Sequence, residues 1–446
     1  MIKRIETKLD IFEIYTLLKE NRGSFILDSS MYHETLGRYT IVGSEPIKYI
    51  KKNAGDKALD SFSNELKAYS GSNDTDLPFV GGAVGYFSYD LCHEVESLPR
   101  KSRKEVDIPD IYIGIYDLVI VHDKKENATY IASPNLDQGI EEEKIERLIK
   151  YIKASEENFS YPSREEEDEI VEVRSNFLKD EYLETIDKVR SYIRSGDIYQ
   201  ANLTQRFKGN TKRTAYDIYR SLREVSPATF GAFLNFDEVQ IMSNSPERFL
   251  KIKDRLMETR PIKGTRPRGI GQEDLRLMEE LKNSEKDKSE LLMIVDLERN
   301  DLGRVSKTGS VKVPELFKLE TYANVHHLVS TIRGQMKDEA TIADVMKSTF
   351  PGGSITGAPK IRAMEVIDEL EPTQRNVYTG SIGYIGFDGQ VDLNIAIRTI
   401  VKVGDEITFQ VGGGITWDSN PQEEYEETLH KGKSILKAIR GIIKND

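Results

Sequence analysis

The sequence predicts a protein of mixed helix and strand built around a sizeable core. The chain has 446 residues, enough for two or three ordinary domains or one large composite domain. Hydrophobic residues make up 38% of it and charged residues 31%, a balance that suits a soluble globular protein. Short β-branched and aromatic runs alternate with stretches whose apolar residues recur every three or four positions.

Within residues 1–70, Ile11, Ile14, Tyr15 and Leu18 form a helical pattern, while Ser24-Phe25-Ile26-Leu27 and Tyr39-Thr40-Ile41-Val42 read as strands. The small, polar segment from Tyr69 to Asp76 reads as a surface loop. The strand-like run Pro78 to Asp90 carries Gly81, Gly82 and Gly85, which points to close backbone approach in a bent sheet rather than to a phosphate loop. Its wording is echoed at Gly380-Ser381-Ile382-Gly383-Tyr384, and Ile111 to Val121 adds a further strand. From Gln138 to Glu172 the charge density rises, yet Ile145, Leu148, Ile149 and Ile152 mark a helix with one apolar stripe. The acidic run Arg164-Glu165-Glu166-Glu167-Asp168 reads as a solvated connector, so a boundary is placed at 165–178, between an N-terminal region 1–165 and a C-terminal region 178–446. Tyr182, Ile186, Val189 and Ile193 then form an amphipathic helix closed by Gly196.

Composition removes several classes of function. A net charge of −12 argues against a general nucleic-acid binder or an anionic membrane surface, so an anionic substrate would need a locally positive site. The single cysteine, Cys92, rules out an intramolecular disulfide framework and fits a reducing compartment. No apolar run approaches the ~20 residues that span a bilayer, and Met1-Ile2-Lys3-Arg4 is not followed by a signal-type core. A cytoplasmic protein is predicted.

Several segments carry candidate chemistry. Met257 to Gly269 is rich in glycine, proline and arginine between short strands at 249–256 and a helix from Glu273 to Leu281, with Lys263 at its centre and Arg260, Arg266 and Arg268 close in sequence. Like charge and desolvation would lower the amine from its usual ~10.4 and make it a nucleophile, although a solvated loop lysine fits the same pattern. Ser245-Pro246-Glu247-Arg248 places a carboxyl 16 residues before Lys263; Glu247 is either a general acid or the structural partner of Arg248 or Arg206. On one helix Asp287, Glu290, Ile294 and Leu297 share a face; on the last helix Tyr425, Leu429, Leu436 and Ile439 form the core stripe, with Glu424, Glu427 and Lys431 beside it. Two carboxylates from each of two helices make an all-oxygen site of the kind Mg²⁺ prefers, and a solvated helix surface is the other reading of Glu424 and Glu427. Phe350 to Lys360 imitates a phosphate loop, but Ala358-Pro359 replaces the required Lys-Ser/Thr, leaving a glycine turn around Ser354 and a helix start able to hold a carboxylate. Asp392 to Thr399 and Gln410 to Thr416 read as adjacent strands, and Arg398 on an apolar strand needs an acidic partner from protein or ligand. His326-His327 lacks nearby cysteine or a second His pair, which makes zinc a poor reading.

Pro261-Ile262-Lys263-Gly264-Thr265 resembles the signature of the aminodeoxychorismate synthase component I family, whose sister, anthranilate synthase component I, has alanine at the lysine position. With the Gln200 strand, the Ser-Pro-Glu motif, the acid helix and the last helix, the resemblance covers most of residues 180–440. It implies an α+β fold: two packed, mainly antiparallel β-sheets with helices outside and the site between them. It assigns Lys263 as nucleophile and Glu247 as general acid. It places Gln200, Thr265, His327, Ser354, Tyr378, Arg398, Gly414 and Lys431 at the substrate, chorismate, and it gives Mg²⁺ to Asp287, Glu290, Glu424 and Glu427. Gln200 stands where water-using relatives carry a lysine base, which disfavours them. Ammonia would come from a separate glutaminase subunit, since Cys92 does not lie in a Gly-x-Cys-x-Gly turn. The tryptophan-binding motif of anthranilate synthases is echoed only loosely at Leu27-Asp28-Ser29-Ser30. Anthranilate synthase component I and a catalytically silent binding protein are the alternatives.

Overall fold

The computed structural model describes all residues except 34–35, 56, 70, 135–139, 165–169, 323–324 and 445–446; most of the acidic connector therefore lies outside the described residues. The strands form two large sheets, as expected. The first, of thirteen strands, begins at Ile2–Ile5 and passes through Ala128–Ala132, Val119–Asp123, Tyr39–Gly43 and Ser24–Asp28. It continues through Phe230–Phe236, Val239–Ser245, Thr399–Val403, Glu406–Ile415 and Gln200–Asn210 to Val171–Ser175 and Gly441–Ile443. Its pairings are antiparallel except the last, which is parallel. The second, of ten strands, runs from Ile262–Pro267 through Val325–Gln335, Leu256–Thr259, Arg248–Lys253, Val391–Asn394, Ser381–Gly386, Gly82–Phe87 and Ile111–Tyr116 to Lys48–Lys52. Residues on both sides of the 165–178 connector thus supply strands to both sheets. The two echoing glycine segments are direct antiparallel neighbours, with Gly85 opposite Gly383. A β-carbon on Gly85 would stand 2.1 Å from the Tyr112 carbonyl oxygen, which explains the glycine in that strand.

Between the sheets lies an aromatic-rich core containing Phe25, Tyr86, Tyr112, Tyr116, Leu234 and Ile241. Helices cover the outer faces. Ile11–Leu18, Ala215–Val225 and the last helix, Pro421–Ile439, pack on the first sheet. Glu285–Val305 and Ile342–Thr349 pack on the second. In the last helix the buried positions are Thr428, Gly432, Ile435, Ala438 and Ile439; of the predicted stripe Ile439 is buried, Leu429 and Leu436 pack at the edge of the same core, and Tyr425 packs against a separate cluster. The helix lies close against its strand: a β-carbon on Gly432 would be 3.7 Å from Val411 and 3.8 Å from Phe409. Thr428, Gly432 and Ala438 allow that approach, and Ile435 and Ile439 fill the core beside them.

The chain changes sheet at two adjacent points. Strand Val239–Ser245 belongs to the first sheet and Arg248–Lys253 to the second, so Pro246 and Glu247 form the crossing. Likewise Val391–Asn394 lies in the second sheet and Thr399–Val403 in the first. Arg398 is therefore in a crossing with φ +51°, not on a strand as predicted. The crossings are tied together: Ile395 N–H donates to the Glu247 carbonyl at 3.0 Å, and Asn244 N–H to the Arg398 carbonyl at 3.1 Å.

A buried ion pair holds several of these parts in place. Arg375 makes a bidentate pair with Glu371 at 2.7 and 2.9 Å and donates to the carbonyls of Asn202 at 2.6 Å and Ile355 at 3.0 Å. Its guanidinium lies 4.7 Å from the Tyr89 ring, and Glu371 accepts from Thr204 N–H and hydroxyl at 2.9 and 2.8 Å. Arg375→Met would leave the Glu371 carboxylate buried without its cation, so unfolding in urea should show a loss of about 3–5 kcal/mol. Adding Glu371→Leu should recover part of that loss.

A second buried carboxyl, Glu298, accepts the Thr259 hydroxyl at 2.8 Å and is pushed up to about 8, chiefly by burial. Because its folded value lies above the unfolded one of 4.5, its stability contribution is complete below 4.5 and is lost as pH rises towards 8. Glu298→Gln removes this titration while keeping an acceptor. The variant's stability relative to the wild type should therefore increase between pH 5 and 8, by ~2–4 kcal/mol in thermal melts across that range.

Candidate active site

The expected residues meet in one cavity of about 620 Å³ between the sheets. Lys263, Thr265 and His327 line it from the second sheet, and Asn202, Gln410 and Gly412 to Gly414 from the first. The two crossings contribute Glu247 and Arg398, the glycine turn contributes Ser354, and Tyr378 closes one end. Helices Glu285–Val305 and Pro421–Ile439 face each other across the mouth with Asp287 and Glu290 on one and Glu424, Glu427 and Lys431 on the other. Gln200 stands just behind this lining. It is 2% exposed, and its amide presses on Gly414, where a β-carbon would be 2.0 Å from Nε2. Among the described residues its Oε1 accepts no hydrogen bond.

The Lys263 amine donates to the Ser354 carbonyl at 3.2 Å. Burial pulls it below its ordinary value, with Lys431 adding and the carboxylates of Glu290 and Glu247 opposing. The neighbouring arginines, which the sequence suggested as the depressing charges, are turned to other partners. Arg260 pairs with Glu320 at 2.5 Å, Arg266 with Glu280 at 2.8 Å and Asp287 at 3.2 Å, and Arg268 with Asp274 at 2.7 Å. Residues of a strand alternate faces and the strand carrying Lys263 is irregular at Gly264, so closeness in sequence does not carry these charges to the amine. Burial also pushes the Glu247 carboxyl up, although Ser354 and Lys263 oppose it. Neither Arg248 nor Arg206 claims it: Arg248 is bidentate to Asp392 at 2.9 Å, and Arg206 lies 3.6 Å from Glu105. Burial thus moves both groups towards their uncharged forms, the direction that nucleophilic attack with acid assistance requires.

Arg398 supplies the anion-binding end. Its guanidinium faces the cavity, and among the described residues it has neither a carboxylate partner nor a side-chain hydrogen bond. A buried cation without a protein counter-ion is a receptor for a ligand carboxylate. His327 beside it bonds the Thr265 hydroxyl through Nδ1 at 2.9 Å and is pushed down to about 4, by burial first and then by Arg398, so it is neutral at pH 7. His326 is committed elsewhere, to Asp274 and Thr321, both at 2.9 Å. The helix start at Lys360, expected to hold a carboxylate, does not line the cavity; Lys360 instead pairs with Asp301 at 2.6 Å.

The acidic face fits a hard divalent cation in donor type. Burial pushes up both Glu290 and Glu424, and neighbouring carboxylates add to it, Asp287 and Glu427 at Glu290 and Glu427 at Glu424. A divalent cation relieves that repulsion, and all-oxygen donors suit Mg²⁺. The four acids are not gathered into a closed shell: among the described residues no group of three or more such side chains is spaced to hold a metal. Instead Asp287 is held by Arg266, Glu424 accepts from Ser419 at 2.6 Å, and Glu427 pairs with Lys431 at 2.7 Å. Asn202, Gln410 and Lys286 also line the cavity and were not anticipated. Asn202 shares its strand face with Gln200, and Lys286 precedes Glu290 by about one helical turn, so both had a signal in the spacing.

No helix among the described residues is long and apolar enough to cross a membrane. Comparison with known proteins matches residues 24–437 to the chorismate binding enzyme family. The chain is 42% identical to aminodeoxychorismate synthase component 1 of Escherichia coli over 82% of its own length and 79% of that protein. It is 38% identical to anthranilate synthase component 1 of Aquifex aeolicus over 97% of its length and 92% of that protein. The crystal structure of anthranilate synthase component I from Streptococcus pneumoniae superposes with a TM-score of 0.77 at 32% identity, covering 91% of this chain and 93% of that one. With a family match over most of its length and relatives of both kinds at about 40% identity, the chain belongs to the chorismate binding enzyme family.

Proposed function

We propose that the chain is the chorismate-aminating component of an aminodeoxychorismate synthase, working in the cytoplasm with a glutaminase subunit that supplies ammonia. The observation that carries this reading is the Lys263 amine itself, buried in the cavity, pulled below its ordinary value and sharing the cavity with Glu247. One chorismate carboxylate lies on Arg398 and Tyr378. Glu290 and Glu427, with Glu424 and Asp287, would hold Mg²⁺, which would supply charge neutralisation for the other carboxylate. The neutral amine of Lys263 forms a bond to ring carbon 2 as the double bonds shift and the 4-hydroxyl leaves as water with the proton of Glu247. Ammonia then bonds to carbon 4, the double bonds shift back, and the bond to Lys263 breaks to return the amine. The sum is chorismate plus ammonia giving 4-amino-4-deoxychorismate plus water. Anthranilate synthase component I is the second reading, favoured by relatives of that name at comparable identity. Chromatography of the products from chorismate, Mg²⁺ and ammonium salt separates the two outcomes: aminodeoxychorismate supports the first, anthranilate as the main product overturns it.

The nucleophile is tested by Lys263→Arg and Lys263→Ala. Arginine keeps the charge but is not deprotonated in proteins. Both variants should form aminodeoxychorismate at least ~100-fold more slowly than the wild type, the scale on which an activated group contributes. Near-normal turnover by Lys263→Arg would show that the residue only neutralises charge.

Removal of the metal tests the acidic face. Turnover should vanish in excess chelator and return with Mg²⁺. Glu290→Gln and Glu427→Gln should each lose at least ~10-fold in metal affinity while the circular dichroism spectrum stays that of the wild type, since each deletes one charged oxygen donor.

A further inference from the structure

The last helix holds its acids in an arrangement with a cation already in it. The Lys431 ammonium lies 2.7 Å from Glu427 Oε1 and also donates to the Gly412 carbonyl at 2.9 Å, which pins it between helix and strand. A β-carbon placed on Gly413 would lie 3.2 Å from Glu424 Oε2, 3.6 Å from Glu427 Oε1 and 3.8 Å from Lys431 Nζ, so the three charged groups converge over one glycine. Among the described residues this is the only ion pair that either Glu424 or Glu427 makes. The opposite helix offers a contrasting cation: Lys286 lines the same cavity but has no ion pair among the described residues.

We propose that Lys431 is the resident cation of the acidic face, occupying the place of the divalent metal and leaving it when the metal arrives. This rests on the metal-binding part of the proposed function. Two cations cannot share Glu427 without strong repulsion, and their electrostatic cost falls only as the distance between them grows. The lysine stem is four carbons long and flexible, so the ammonium can leave Glu427 without movement of the helix backbone. The displaced charge stays in the cavity, because Lys431 lines it together with Arg398. Metal entry therefore turns a lysine committed to a glutamate into one facing the substrate's carboxylates.

Binding of Mn²⁺, followed by the electron paramagnetic resonance of the free ion without substrate, tests the exchange on four proteins. Lys431→Met deletes the competing cation and should bind Mn²⁺ about tenfold more tightly than the wild type, the scale expected for removing a unit charge a few ångströms away in a solvated site. Lys431→Arg keeps the competing charge and should stay within about twofold of the wild type, and Lys286→Met, which removes an unpaired charge, within about threefold. Unchanged or weaker binding by Lys431→Met would overturn the exchange, and so would an equal gain in Lys286→Met, which would reduce the effect to overall charge. If neither the wild type nor Lys431→Met binds Mn²⁺, the metal assignment falls and the exchange with it. If both bind equally, only the exchange falls.

Discussion

The cavity exists because the chain passes between the sheets at two neighbouring points, 246–247 and 395–398. A strand residue in a two-sheet protein faces either the core or a covering helix. A residue in a crossing belongs to neither face and can point into the gap between the sheets. Glu247 and Arg398 use that freedom, and the hydrogen bonds joining the crossings keep the acid and the anion receptor in register. The left-handed backbone at Arg398 is part of the same geometry, a conformation that L-residues adopt only where the surroundings impose it. Once the crossings are fixed, the strand of Lys263, the glycine turn of Ser354 and the two acidic helices have one gap to face.

The cavity of a chain with net charge −12 is nonetheless arranged around cations. Among the described residues Arg398 has no carboxylate partner, Lys263 is held by a carbonyl rather than a carboxylate, and Lys431 holds Glu427, one of the carboxylates that crowd Glu290. Arg260, Arg266 and Arg268 are all spent on ion pairs away from the amine, although they surround it in sequence. Of the two causes that the sequence suggested, desolvation is the larger, and the like charge that adds to it is Lys431 from the far end of the chain.

Much of the site was legible because its residues sit in segments with marked local chemistry. The acid helix, the glycine turn, the Ser-Pro-Glu corner and the proline-flanked lysine each break the surrounding pattern. What could not be read was anything set by pairing across the sheets. The period of the last helix suggested Tyr425 and Leu429 for its core, but close packing on the strand below favours Gly432 and Thr428. Arg398 looked like a strand residue because the sheet change at 395–398 removes no apolar character from the sequence. Arg375 gave no signal at all, since a buried arginine is recognisable only from partners that lie 4, 20 and 173 positions away.

That arginine also joins the two halves of the chain. Tyr89 from the first half stacks on its guanidinium, while Asp90 accepts the Asn376 N–H at 2.8 Å beside it. Among the described residues none before Asn202 lines the cavity, yet the first half braces the turn that carries Tyr378 and supplies the neighbours of Phe230–Phe236 and Ser381–Gly386. The cavity is therefore not separable from the half that does not line it. A fragment cut at the connector would keep the described cavity-lining residues and bare two long sheet edges, the kind of surface that recruits further strands.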